Sequence, residues 1–398
     1  MFNCLGRWCG VILRFCPVIP SCRWLAIILS RSRSSCRDLA FYLILFGGVL
    51  PAPASTLASF NGQTYLPLAQ WASANGFEGF TRNQGREFIL TRDDSRLVFE
   101  VDSAQMEING IHVRLSFPVA CQKNLPYISE LDINTLIRPL INPAAATARR
   151  VTTICLDPGH GGKDSGNRVG SGFFVHNEKT YTLQLAQVLR QQLEKLGFNV
   201  ILTRNKDVYV PLSARPALAN ERGADLFVSL HFNASQADPG GVSGPETYCI
   251  TPVGAKSSND HGESGEFGGV ADTGSTVANR NEQKSLLLAY EMEKSLVQTL
   301  HAEDRSVRRA RFAVLRDARM PAILIEGGYM TNPVEGRKIY DAAYRQQMAD
   351  AIAKGILNYL RFAGPADYTR SGPPSRHKPG HDVSAQVAGN HPGPGFAE

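Results

Sequence analysis

From Thr152 onward the hydrophobic residues fall into short unbroken runs separated by longer stretches of helical spacing. Thr152–Leu156, Phe198–Leu202 and Asp225–Leu230 each predict a buried strand. Between the first two, Lys179–Leu196 sets Leu185, Leu189, Leu193 and Leu196 along one helical face and stops at Gly197, a residue suited to the left-handed turn after a helix. Leu212–Arg222 predicts the next helix. Thr247–Thr251, Phe312–Leu315 and Ala322–Ile325 predict further strands, with helices at Gln283–His301 and Tyr344–Phe362. Alternation of this length predicts an α/β domain: a central, mostly parallel twisted sheet with helices on both faces.

Ahead of it, Ala58 to Ile141 has the pattern of a small α+β module. Gly62–Leu68 reads as a strand and Ala69–Gly76 as a helix, followed by strands at Glu87–Leu90, Arg96–Val101 and His112–Leu115. Asn109-Gly110 lies between two strand-like runs, and both residues tolerate the positive φ of a two-residue hairpin. With the Leu125–Ile128 run, this segment resembles the module named after the copper amine oxidase N-terminal domain, which implies an accessory or wall-proximal role but no chemistry; a simple packing appendage is the alternative.

Composition then divides the chain. Six arginines up to Arg37, against Asp38, supply most of the formal charge of +6, leaving about +1 for the remainder, which excludes a nucleic-acid-binding surface as the reason for the basic balance. Basic residues precede the apolar run Leu39–Leu50, which is short for a bilayer span and ends in Ala52-Pro53-Ala54, a small-residue cleavage pattern. Residues before Ser30 fit such a signal poorly, which points to a translation start downstream of Met1; an uncleaved N-terminal anchor is the alternative. Five cysteines fall in this leader. Cys121, Cys155 and Cys249 remain, forming no C-x-x-C pair and no disulfide framework, and Cys155 and Cys249 read as small buried hydrophobes. The expected organisation is a leader over 1–54, the module over 55–141, a linker over 142–150, the α/β domain over 151–363 and a disordered tail over 364–398. The tail's His377, His381 and His391 read as solvated side chains.

Polar residues gather where the predicted strands end. Asp157-Pro158-Gly159-His160-Gly161-Gly162 leaves the first strand, Ser229-Leu230-His231-Phe232-Asn233-Ala234 the third, and Ile325-Glu326-Gly327-Gly328 a later one. A phosphate loop is excluded at the first, because Asp157 and Asp164 stand where that loop needs Gly and Ser or Thr. In open α/β sheets the carboxyl ends of strands line one crevice, so His160, His231 and Glu326 can converge although distant in sequence. Two imidazoles and a carboxylate form a hydrolytic zinc set, and a further glutamate is then needed to take a proton from water.

Residues 152 to about 362 resemble the zinc-dependent N-acetylmuramoyl-L-alanine amidase family, whose catalytic domain occurs in division and sporulation amidases. The matching pieces stand in family order: the Asp157–Gly162 turn, Asn177-Glu178-Lys179, Leu212–Asn220 around Arg215, Ser229–Ala234, and Met320–Asn332. The resemblance implies one Zn2+ per chain held by His160, Glu178 and His231, with Glu326 as general base. Read from residues alone, Glu178 is also an ordinary first-turn helix acid, and His176 is a competing ligand. Asn233 is a candidate for orienting a ligand and Arg316 for holding a peptide carboxylate. The implied reaction is hydrolysis of the amide between the muramoyl lactyl group and L-alanine in peptidoglycan, for wall remodelling or daughter-cell separation. The implied setting is the periplasm or cell envelope, with peptidoglycan as partner, no nucleic acid, no stable membrane span in the mature chain and a monomeric state. A zinc peptidase acting within the stem peptide and a silent wall-binding protein are the rivals. Where related division amidases carry a helix over the metal, Pro252–Arg280 is rich in Gly, Ser, Asp and Asn, so an open site is expected, with Glu263, Glu266 and Glu282 still able to reach it.

Overall fold

The structure, a computed structural model, describes residues 57–82, 85–143, 150–171, 174–257 and 274–363. The leader, most of the linker, the tail with its three histidines, and Glu263 and Glu266 lie outside the described residues. Within the N-terminal module, β1 (Ala58–Phe60) and β2 (Gln63–Pro67) form a hairpin through Asn61-Gly62, and α1 (Leu68–Ala74) follows directly. A meander continues through β3 (Glu78–Arg82), β4 (Glu87–Arg92), β5 (Ser95–Glu100), β6 (Gln105–Ile108) and β7 (Ile111–Arg114). The Asn109-Gly110 turn joins β6 to β7 with φ of 48° and 84°, the positive pair its sequence predicts. After β8 (Ala120–Gln122) and β9 (Leu125–Ser129), a helical stretch runs through α2 (Glu130–Asp132), a wide turn at Ile133–Ile137, and α3 (Arg138–Ile141).

The α/β part follows with β10 (Thr153–Pro158), a short hairpin of β11 (Arg168–Val169) and β12 (His176–Asn177), α4 (Glu178–Lys195), β13 (Asn199–Leu202), α5 (Ala214–Glu221), β14 (Leu226–Asn233) and β15 (Glu246–Cys249). Then come α6 (Glu282–Leu300), β16 (Val307–Arg309), α7 (Ala313–Arg316), β17 (Ala322–Tyr329), α8 (Glu335–Tyr340) and α9 (Ala342–Ala363). In the strand order β13-β10-β14-β17-β15-β16 the first four strands are mutually parallel, while β15 and β16, parallel to each other, run in the opposite direction.

Side-chain alternation sends Ile154, Leu156, Val228, Leu230, Ile323 and Ile325 to one face, against the apolar sides of α4, α6 and α9. Cys155, Phe227, Ala322, Leu324 and Tyr248 point the other way, toward Ala219 of α5 and Val314 and Leu315 of α7. The expected α/β class with both faces covered is therefore the observed one. Phe312–Leu315 is corrected from strand to a helical turn at Ala313–Arg316, since an apolar run that short carries no readable period. The strand Val307–Arg309 went unread because its two arginines look solvent-bound, whereas Arg309 is buried.

β16 also pairs in parallel with β7 at Val307 and Val113, so module and α/β part share one 11-stranded sheet. At this seam the Arg309 guanidinium donates to Asp132 at 2.6 Å and to Ser116 Oγ at 2.7 Å. Asp132 also accepts from Ser116 N, Phe117 N and Ser129 Oγ. Cys155 and Cys249 are buried free thiols, as expected, and Cys121 is exposed. Among the described residues, no helix is long and apolar enough to cross a membrane.

Candidate metal centre

The site grows from the carboxyl end of β10. Asp157, fully buried, accepts from Thr203 Oγ1 at 2.6 Å, Ser229 Oγ at 2.8 Å and the Arg215 guanidinium at 2.8 Å. Burial opposes its charge, yet Arg215 and the two hydroxyls hold the carboxyl below its ordinary value. Beyond it the chain turns so tightly that His160 adopts φ of 62°, a left-handed conformation costing a β-substituted residue roughly 1–2 kcal/mol. Two arginines secure that turn by its carbonyls: Arg204 donates to Pro158 O and Gly159 O, and Arg215 to Pro158 O and His160 O. Arg204 gave no signal in the sequence beyond being a charged residue after a strand, and its role depends on a contact 45 residues away along the chain.

His160, Glu178 and His231 converge on one point, with one ligand atom from each lying within 4.8 Å of the others. His160 comes from the β10 turn, Glu178 opens α4, and His231 lies near the end of β14. All three are buried, Glu178 completely. Glu178 Oε2 lies 3.1 Å from His160 Nε2 and accepts from Asn167 N; Oε1 lies 3.0 Å from His231 Nδ1 and accepts from Phe232 N. His160 Nδ1 faces Asp164 Oδ1 at 3.0 Å, which assigns the proton to that nitrogen and leaves Nε2 for the centre. His231 Nδ1 is 3.2 Å from His160 Nε2.

The electrostatics follow from this crowding. Burial opposes a charged His160, but Glu178 and Asp164 outweigh it and raise the imidazole to about 10. Burial also opposes a charged Glu178, and the two histidines reverse this, holding the carboxyl well below the usual range. Burial wins at His231, whose value falls despite Glu178. The result is a charged His160–Glu178 pair beside a neutral His231.

Two glycines make the convergence possible. A Cβ on Gly159 would stand 2.1 Å from His231 Cε1, and one on Gly166 would stand 2.6 Å from both Glu178 Oε2 and His160 Cδ2. At Gly161, Gly162, Gly327 and Gly328 an added Cβ would meet Val208 O, Tyr209 N, Met348 Sδ and the Glu335 carboxylate respectively, so these glycines serve close packing of the chain on itself.

Glu326 is the Cα partner of His231 on one side and of Glu246 on the other, putting the three side chains on the same face of the sheet. It is 4% exposed and sits in register with His231 of the metal-holding group. The reading that made Glu326 the third converging group with the two histidines is thus refined: the carboxylate between the imidazoles is Glu178. His176 is stacked on Tyr340 at 3.7 Å between ring centroids and meets the Tyr181 hydroxyl, so its ring is engaged apart from the triad. Asn233 Oδ1 accepts from Ala234 N, and the orienting contact to His160 comes from Asp164. Arg316 pairs loosely with its neighbour Asp317 at 3.3 Å. Glu282 accepts from Asn279 Nδ2, which also donates to Thr251 O, so this glutamate closes the start of α6.

An α/β domain with a His-Glu-His cluster built from two strand ends and a helix start defines a class of protein able to hold a divalent metal through three side chains. Residues 154–358, just over half of the chain, match the N-acetylmuramoyl-L-alanine amidase family, and the chain belongs to that family. It is 34% identical over 237 residues to the N-acetylmuramoyl-L-alanine amidase AmiC of Neisseria meningitidis, covering 55% of each chain. It is 31% identical over 238 residues to AmiA of Escherichia coli K12, covering 55% of this chain and 80% of the relative. A crystal structure of an N-acetylmuramoyl-L-alanine amidase from Clostridium difficile 630 is 32% identical, with a TM-score of 0.43 over 54% of this chain and all of that one. The chain spans about half the length of the two AmiC relatives it matches.

Proposed function

We propose that this protein is a zinc-dependent amidase that cleaves the bond between the muramoyl lactyl carbonyl and the L-alanine nitrogen of peptidoglycan. The observation that carries this reading is the approach of His160, Glu178 and His231 ligand atoms within 4.8 Å, with Glu326 in register beside His231. Two imidazole nitrogens and one carboxylate oxygen suit zinc, and the donor set leaves a position for water or substrate. When bound, zinc supplies Lewis acidity, lowering the pKa of water toward ~7 and polarising a carbonyl.

The chain's own residues supply the rest. Asp164 fixes the His160 tautomer, and the main-chain N–H groups of Asn167 and Phe232 hold the Glu178 carboxylate in place. Glu326 takes a proton from the attacking water and returns it to the departing nitrogen. In the same reading, residues 1–54 direct export to the cell envelope, 55–141 serve as an accessory module, 142–150 as a linker, and 364–398 as a tail. Family membership favours this activity over a zinc peptidase, which needs the same metal chemistry. Mass spectrometry of purified muropeptides after digestion tests it: free stem peptide and peptide-free glycan are expected, while shortened stems still attached to glycan would identify a peptidase.

A further inference from the structure

Across the sheet from Glu326, away from the metal-holding residues, lies a second polar cluster that the reaction as described leaves unused. Glu246, 2% exposed, begins β15 and accepts from the hydroxyls of Tyr248 and Tyr329, each at 2.6 Å. Arg308 sits on the same face as Tyr248, its Cα partner, and reaches back to within 3.5 Å of Glu246 Oε1. Arg305, just before β16, approaches the same oxygen at 3.7 Å. Both distances exceed the ~2.7–2.9 Å of a charge-assisted hydrogen bond, and two short tyrosine bonds already occupy the carboxylate. The Arg305 and Arg308 side chains stay 30% and 25% exposed, and Arg308 Nε donates to Arg305 O at 3.4 Å. Glu303, itself largely exposed, stands 3.9 Å from Arg305 and offsets it only weakly. Glu246 and its tyrosines thus anchor two cations beside the general base.

The spacing is informative. Arg308 meets Glu246 over β15, two strands from His231 in β14. Two strand spacings of ~4.8 Å make roughly 10 Å, the span of two to three extended residues at ~3.3 Å each. A peptide whose first amide lies at the metal and whose chain crosses the strand ends therefore carries the acidic group of its second residue to these arginines.

Resting on the amidase reading, the geometry points to Arg305 and Arg308 as a clamp for a stem-peptide carboxylate, making them specificity-determining residues of the same site. The test compares a muramoyl dipeptide whose second residue has a free α-carboxylate with the same molecule carrying a carboxamide there. Wild-type protein is expected to favour the acid about tenfold in kcat/KM, through KM. The Arg305→Gln/Arg308→Gln double variant should lose that preference, cleaving acid and carboxamide with similar kcat/KM, while keeping its zinc content. Calorimetric titration with the product dipeptide, as acid and as amide, reads the clamp without turnover, so its failure is separable from failure of the amidase assignment. If the double variant folds poorly, Arg308→Lys, which keeps charge but not the planar fork, should lose part of the preference. Wild-type indifference to the carboxylate, a preference unchanged in the variants, or equal losses on both substrates would each overturn the clamp.

Discussion

At the metal centre one carboxylate faces two imidazoles whose nitrogens crowd to 3.2 Å, whereas at the seam one carboxylate faces a guanidinium and three further donors. Both clusters are buried, and both join residues far apart in sequence. The difference is in what each offers. Asp132 has its acceptor capacity filled by Arg309, Ser129 and two main-chain N–H groups, which makes it a structural lock. At the metal centre three Lewis bases converge, and a proton or a cation must reconcile them. A satisfied cluster confers stability; a convergent set of bases confers affinity for a positive ion.

Chelation is the most severe test of that contrast: removing metal should abolish turnover and added zinc should restore it. Activity that survives exhaustive chelation breaks the metal assignment. Glu326→Gln comes next, with turnover falling roughly 10²–10⁴-fold while zinc stays near one per chain by elemental analysis. Loss of metal in that variant would make Glu326 a ligand. Asp132→Ala should do the opposite, destabilising the fold by about 3–5 kcal/mol in denaturant melts because Arg309 is left buried without its partner, with turnover per folded molecule retained. A stability change under 1 kcal/mol would show that the seam is loosely held.

A smaller effect is expected at Asp164. Asp164→Asn removes the charge that orients His160 and should weaken zinc binding about 10–100-fold, measured by competition with a chromophoric chelator; unchanged affinity would show that Glu178 alone sets the ring. The mildest perturbation is pH. Since His160 in the protein alone is raised to about 10, zinc must displace a proton at neutral pH, so apparent affinity should rise up to about tenfold per pH unit toward that value and fall as pH drops. A flat profile between pH 6 and 8 would contradict the raised His160.

Periodicity made the α/β part legible: Leu185, Leu189 and Leu193 lie on the buried face of α4 as their spacing predicts, and the Asn109-Gly110 hairpin forms where its dipeptide stands. The convergence of His160 and His231 was legible because strand topology alone brings those strand ends together. Glu178 was legible only through the family pattern, since a first-turn helix acid has many uses. Nothing local marked Arg204, Asn167, Gly159 or Gly166, whose roles consist of contacts with chain segments elsewhere in sequence.

The sequence by itself determined where strands and helices occur, which side of each is apolar, and which residue types stand at the strand ends, because these depend on local conformational preference and on a period of two or 3.6 residues. Tertiary structure alone decided that β16 pairs with β7 and that Arg309 is buried against Asp132. Strand order, register and the exchange of a charge's hydration for a distant partner are properties of the assembled sheet, and no local stretch of chain encodes them.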